Sequence, residues 1–213
     1  MQSTLDIDGK SKKQARFTRL VSFDPATGKT AMYGYPIDGE AYSKNSDAKI
    51  GDIVAIDNQH LLLIEQGTNK NDAMRNLVYK VDLRPATELS AFDKPGDYPE
   101  FDDKKTLAQR GIKLAAKSLV VDLRQLGWQQ EKAEGLALID NRMLAVTNDN
   151  DFGVKAVMQN PVEGKKRKDY RVTDQGTLTV DDKPVATTIG LKPLKKPEVD
   201  SELWIVTLAE PLK

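Results

Sequence analysis

The chain has 213 residues, 39% of them apolar and 30% charged, enough apolar text for a real core in an ordinary water-soluble globular protein. Lysine plus arginine number 32 and aspartate plus glutamate 32, so a formal charge of zero gives no bulk attraction to nucleic acid or to an acidic membrane surface. Cysteine is absent, which excludes disulfides, thiolate nucleophiles and cysteine-bound zinc, and leaves the redox compartment open.

Residues 1–14 are polar and uneven and read as a loosely ordered end. The opening M-Q-S-T-L-D-I-D-G-K-S-K-K lacks the apolar stretch of a signal peptide, and no apolar run nears the roughly 20 residues of a membrane helix. From Ala15 the pattern predicts strand, turn and strand: Phe17, Leu20, Val21 and Phe23 lead into Asp24-Pro25-Ala26-Thr27-Gly28, and Ala31, Tyr33 and Tyr35 lead out. Residues 38–49 are loop-like. A hairpin follows, 50–56 and 61–64 around Asp57-Asn58-Gln59-His60, and a four-residue loop there sets Asp52 opposite Glu65. Strands are predicted at 77–83 and 118–123, separated by a polar insertion at about 90–110 and a short helix around 107–116.

A second hairpin, with Leu136, Leu138 and Ile139 before Asp140-Asn141 and Met143, Leu144 and Val146 after it, repeats the first 83 positions later. With a two-residue turn, Glu134 faces Thr147 and lies beside Asn148 and Asp149. Beyond Gly153 the pattern thins into a charged loop at 164–169, a small hairpin at 170–180 and irregular text at 184–197, so about 155–198 reads as a second insertion before a last strand at 203–208.

The string E-G-L-A-L, a short turn, then N-D-N-D-F-G resembles the closing segment of the bacterial phytase-like family, also called esterase-like activity of phytase. The likeness runs from about Arg16 to Leu208 and includes R-F-T-R-L-V-S-F-D-P-A-T-G, the L-L-L-I-E of 61–65 and the V-D-L of 81–83. The resemblance implies a β-propeller, a hydrolase acting on ester bonds, and a secreted or periplasmic full-length parent in which Met1 is not the natural start of the domain. Further repetition suits that fold: V-D-L-R recurs at 81–84 and 121–124, 40 positions apart, close to the length of one four-stranded blade. The hairpin of 50–65 with strands 77–83 and 118–123 makes one blade, and the next begins at Glu134. Residues 15–213 are therefore expected to be an all-β, partial propeller of two to four blades in an incomplete ring, the missing strands coming from an absent N-terminal part or another chain.

Two readings of the acidic edge stand side by side. In extended N-D-N-D, Asp149 and Asp151 share a face, and with Glu134, Glu65 and Asp52 they make an oxygen-rich set of the kind calcium takes; Asn and Asp are equally the residues of tight turns. Glu134 is either a carboxylate presented at an inner strand or a partner for Lys132. The phytase resemblance implies hydrolysis of a phosphate ester, calcium holding the phosphate and activating water, Glu134 or Asp149 orienting that water and Lys132 adding positive charge. The alternative is a non-catalytic binding or scaffolding module with a structural calcium or none. His60 is the single histidine and no G-x-S-x-G occurs, so a serine esterase triad has no support. The basic run 165–168 reads as a solvated loop, and Trp128 and Trp204 as core residues.

Overall fold

The computed structural model describes residues 4–213. They form an all-β chain of antiparallel sheets, none closed into a barrel, and divide into two compact units. The first runs to Asp149 and resumes at Glu202, and the second is Asn150–Ser201.

In the first unit, β1 (Phe17–Asp24) pairs with β2 (Lys29–Pro36). The turn between them is closed by Asp24, whose carboxylate accepts from the Ala26 N–H at 2.9 Å and the Thr27 hydroxyl at 2.7 Å, while Gly28 takes φ +67°. Next comes a four-stranded meander of β3 (Lys49–Ala55), β4 (His60–Thr68), β5 (Met74–Asp82) and β6 (Ala116–Asp122), the strands expected to make one blade. Leu62, Leu63 and Ile64 in the central β4 are fully buried, which explains why that strand reads as an unbroken apolar run. The connection from β5 to β6 carries α1 (Lys104–Gln109), which starts three residues and ends seven residues nearer the N-terminus than the spacing suggests. Asp103 fixes that start by accepting from the Thr106 N–H at 2.7 Å, and Gly111 at φ +70° ends the turn.

The second repeat pairs β7 (Gly135–Leu138) with β8 (Met143–Thr147). The second unit then contributes β9 (Val154–Gln159), β10 (Tyr170–Val172), β11 (Leu178–Val180), β12 (Lys183–Pro184) and β13 (Thr188–Pro193). Residues 188–193, expected to be irregular, pair with β9 across a long sequence separation that local pattern does not reveal. Back in the first unit, β14 (Leu203–Thr207) adds to β8, giving the order β14-β8-β7.

The two hairpins of the first unit are copies at the level of hydrogen bonds. Ile56 and Asp57 N–H both donate to the His60 carbonyl, and Ile139 and Asp140 N–H both donate to the Met143 carbonyl. The V-D-L-R repeats close their strands alike, Asp82 accepting from the Arg84 N–H at 2.9 Å and Asp122 from the Arg124 N–H at 3.0 Å. One apolar cluster unites both sheets, with Leu62, Ile64, Leu136, Leu144 and Val146 around a buried Trp128 that meets Trp204 edge to face at 5.4 Å. Trp128 and Trp204 are thus packing residues.

Of the tail expected over residues 1–14, residues 1–3 lie outside the described residues. Thr4 is buried and its hydroxyl donates to the Lys12 carbonyl at 2.7 Å.

Gly51 sits in a bulge of β3 between Ile50 and Ile53, where a Cβ would lie 2.1 Å from the Ala133 carbonyl oxygen. Backbone cannot swing aside as a flexible side chain can. Gly51→Ala is therefore expected to cost about 1–3 kcal/mol in urea unfolding, the range of an overpacked core site; an unchanged midpoint would contradict the close approach.

Candidate functional site

A cleft of about 400 Å³ opens in the first unit, lined by Lys49, Gln66, Gly67, Met74, Glu131, Lys132, Glu134 and Asp149. Its walls are the start of β3, the ends of β4 and β5 that pair beside it, and the irregular segment that leads into β7. Lys49, Gly67, Met74 and Glu131 also line an adjoining hollow of about 410 Å³ with Lys12, Ser46, Asp47 and Thr68, so the two form one groove.

Lys132, Glu134 and Asp149, singled out in the sequence, meet in this cleft. Lys132 Nζ lies 3.3 Å from Asp149 Oδ2, and Glu134 Oε1 accepts from Gln66 Nε2 at 3.4 Å. The predicted register is off by one, because the loop is longer than two residues: Gly135 rather than Glu134 pairs with Thr147, although the Glu134 N–H still donates to the Thr147 carbonyl at 3.0 Å. A Cβ on residue 135 would fall 2.1 Å from Thr147 Oγ1, so a larger residue there would force the Thr147 side chain to move.

The other expected metal ligands are placed differently. Asp52 does not face Glu65; the bulge sets Ile50 opposite Glu65, and the Asp52 carboxylate accepts the Leu136 N–H at 2.7 Å, tying the second sheet to the first. Glu65 is not on an open rim. It is fully buried and accepts from Tyr35 Oη at 2.7 Å, Tyr42 Oη at 3.1 Å and Lys117 Nζ at 2.6 Å. The stretch 148–153 is not extended. Asp151, Phe152 and Gly153 have φ of 50°, 58° and 70°, a left-handed turn at the start of the second unit, and Phe152 is 99% exposed. Asn148 accepts the Glu202 N–H at 2.7 Å, and within the second unit Asn150 donates to the Val199 carbonyl at 3.0 Å.

Among the described residues, no three His, Asp or Glu side chains gather in a way that could hold a metal ion. With Glu65 bonded to three donors and Asp52 to a backbone N–H, the donor set does not fit calcium, which asks for six to eight oxygens around one point. His60 sits in its hairpin turn with Nδ1 2.9 Å from Asp57 Oδ1. The Gln59 N–H and the imidazole together hold the Asp57 carboxyl down to about 2, as in a capped turn. Lys165 in the basic run is ion-paired to Asp181 at 2.7 Å.

Five cleft residues, Lys49, Gln66, Gly67, Met74 and Glu131, were not anticipated, and for two of them the signal was present. Lys49 and Gln66 precede Lys132 and Asp149 by the same 83 positions that separate the hairpin turns. Lys49 and Gln66 are a register pair of β3 and β4, and Lys132 and Asp149 are an ion pair, so equivalent positions of the two repeats line one cleft.

The first unit is thus an all-β assembly of repeated antiparallel sheets, with lysines and carboxylates brought to one groove where the sheets are tied together. The chain belongs to the Phytase-like family, described as esterase-like activity of phytase, whose model matches residues 1–152. That span holds β1 to β8 and every cleft residue, and stops short of the last strand, where the sequence likeness was expected to reach. Membership suggests an esterase-like or phosphatase-type function. No curated protein and no solved structure matches the chain.

Proposed function

We propose that the chain is the substrate-binding portion of a β-propeller hydrolase of phosphoric monoesters, the β3–β6 and β7-β8-β14 sheets being neighbouring blades. The observation that carries this reading is one open cleft lined by two lysines and by carboxylates, Lys49 and Lys132 with Glu134 and Asp149, in which Lys132 and Asp149 form an ion pair at 3.3 Å. Lys49 and Lys132 hold the phosphate oxygens, and Asp149 keeps the Lys132 ammonium in place. Glu134 accepts a proton from water as the water oxygen attacks phosphorus, the ester P–O bond breaks, and the proton passes to the leaving oxygen, giving an alcohol and inorganic phosphate. With Glu65 and Asp52 engaged elsewhere, every step is assigned to groups of the chain itself. Membership of the family also carries the proposal that the full-length protein is secreted or periplasmic.

The test is release of p-nitrophenol from p-nitrophenyl phosphate, in calcium and in chelator, with p-nitrophenyl acetate as the carboxylic-ester control. Turnover of the phosphate ester, equal in both conditions, is expected. Loss of activity with chelator would overturn the metal-free assignment. A phosphate-dependent rise in melting temperature without turnover would make the cleft a binding site in a scaffolding module instead.

A further inference from the structure

The residues that present the cleft's charges lie on a segment with no ladder of its own. Residues 129–134 run between the turn after β6 and the start of β7 without regular secondary structure. Exposed to water such a stretch would sample many conformations, and each residue fixed costs roughly 1–2 kcal/mol of entropy. Here its backbone groups are taken up by three side chains from elsewhere in the first unit. Arg124 donates from Nη1 to the Gln129 carbonyl at 3.2 Å and from Nη2 to the Gln130 carbonyl at 2.6 Å. Asn76 Nδ2 donates to the Glu131 carbonyl at 3.0 Å. Gln66 Oε1 accepts the Ala133 N–H at 2.7 Å.

The three side chains are also bonded to one another. Arg124 Nε donates to Asn76 Oδ1 at 2.7 Å, and Asn76 Nδ2 donates to Gln66 Oε1 at 2.9 Å. Gln66 Nε2, the remaining donor at the head of the chain, points to Glu134 Oε1 at 3.4 Å. Asn76 is fully buried and Gln66 is 4% exposed. Each amide orientation is therefore dictated: Asn76 must turn its oxygen to the guanidinium and its nitrogen to Gln66, and Gln66 must then turn its nitrogen to the carboxylate. A buried polar chain this fully directed fixes one geometry, and a stabilising role alone would not need its last donor to end on the carboxylate in the cleft.

We propose that Arg124, Asn76 and Gln66 form a positioning relay that holds Lys132 and Glu134 in the cleft. This rests on the proposed role of Glu134 as general base. Its signature is a loss of orientation that spares binding. Asn76→Leu removes the link between Arg124 and Gln66 and the bond to the Glu131 carbonyl without substituting a group assigned to the chemistry. Gln66→Met removes the acceptor for the Ala133 N–H and the donor to Glu134 together.

The experiment is the split of kcat and KM on p-nitrophenyl phosphate in the full chain, beside hydrogen exchange of the backbone amides of 129–134. Asn76→Leu is expected to lower kcat by about tenfold with KM within about twofold, the pattern of lost orientation, and to speed exchange across 129–134. Unchanged kcat and unchanged exchange in a folded Asn76→Leu protein would overturn the relay. Hydrogen exchange needs no turnover, so a wild-type chain inactive on phosphate esters would count against Glu134 as base while the relay stood or fell on the exchange. If Asn76→Leu does not fold, Gln66→Met is read in the same way, with unchanged exchange overturning the proposal.

Discussion

Glu65→Ala is expected to lower the stability of the chain by about 3–5 kcal/mol, the range for breaking one side of a buried ion pair. The carboxylate is wholly buried and Lys117 is 14% exposed, so the ammonium left behind cannot recover water without opening the sheet. Lys117 Nζ lies 4.7 Å from the Tyr35 ring centre and 4.4 Å from that of Tyr79, contacts that soften the loss without replacing the anion. Tyr35 and Tyr42 would also lose their acceptor. Glu65→Leu combined with Lys117→Met should recover more than half of the loss, since apolar isosteres of a buried pair are often tolerated, and the tyrosine hydroxyls keep the recovery partial. Urea unfolding in calcium and in chelator checks both points. A loss below about 1 kcal/mol would show the pair to be wet, and a calcium-dependent stability of the wild type that Glu65→Ala abolishes would restore the metal-ligand reading of Glu65.

The same cluster sets a direction in alkali. Burial first, and the Glu65 charge second, push the Tyr35, Tyr42 and Tyr79 hydroxyls above their ordinary value. A tyrosine raised in the folded state keeps its proton there after the unfolded chain has lost it. Its contribution is full below about pH 10 and disappears as pH climbs beyond. Removing Glu65 takes away part of that raising, so the mutant's stability should fall less steeply above pH 10 than that of the wild type.

What could be read in the chain follows from where the information is local. Turn chemistry is local: Asp24-Pro25, Asp57-Asn58 and Asp140-Asn141 announce their hairpins, and the 83-residue spacing carries over to matching hydrogen bonds. Loop length is not announced, since the Asp57 and Asp140 carboxylates rebuild each loop by accepting backbone N–H groups from Gln59 and Arg142. One residue of error there and one more from the bulge at Gly51 moved Asp52 away from Glu65, because register transmits each shift to every later pair in the ladder. Glu65 carried a sign that was available, a carboxylate inside L-L-L-I-E, where a central strand buries both faces. Its partners were not available, since Tyr35, Tyr42 and Lys117 lie 30, 23 and 52 residues away. The cleft was half legible for the same reason. Lys132, Glu134 and Asp149 bracket one hairpin, whereas Lys49 and Gln66 arrive from the preceding sheet and show themselves only when the repeat is carried to the flanking residues.

Glu134→Gln is expected to lower kcat on p-nitrophenyl phosphate by at least about 100-fold while leaving KM within about threefold, because general-base assistance contributes roughly 10²–10⁴ and the substitution keeps the shape of the side chain. Lys132→Ala should instead raise KM and lower kcat together, since a phosphate held less firmly is also less well placed. Stability separates these roles from packing. The Lys132–Asp149 pair is 30% and 44% exposed, and ion pairs of that exposure contribute only about 0–1 kcal/mol after screening. Lys132→Ala should therefore leave the urea midpoint nearly unmoved, and a large loss of turnover beside a small loss of stability identifies a residue that acts on substrate. Asp149→Asn, which keeps an acceptor for Lys132 but removes its charge, should fall between wild type and Lys132→Ala. If Glu134→Gln turns over at the wild-type rate, the proton goes elsewhere and this cleft is not where the ester is cut. If instead Glu134→Gln and Lys132→Ala both lose activity only in proportion to a fall in melting temperature, the groove is a structural seam between sheets.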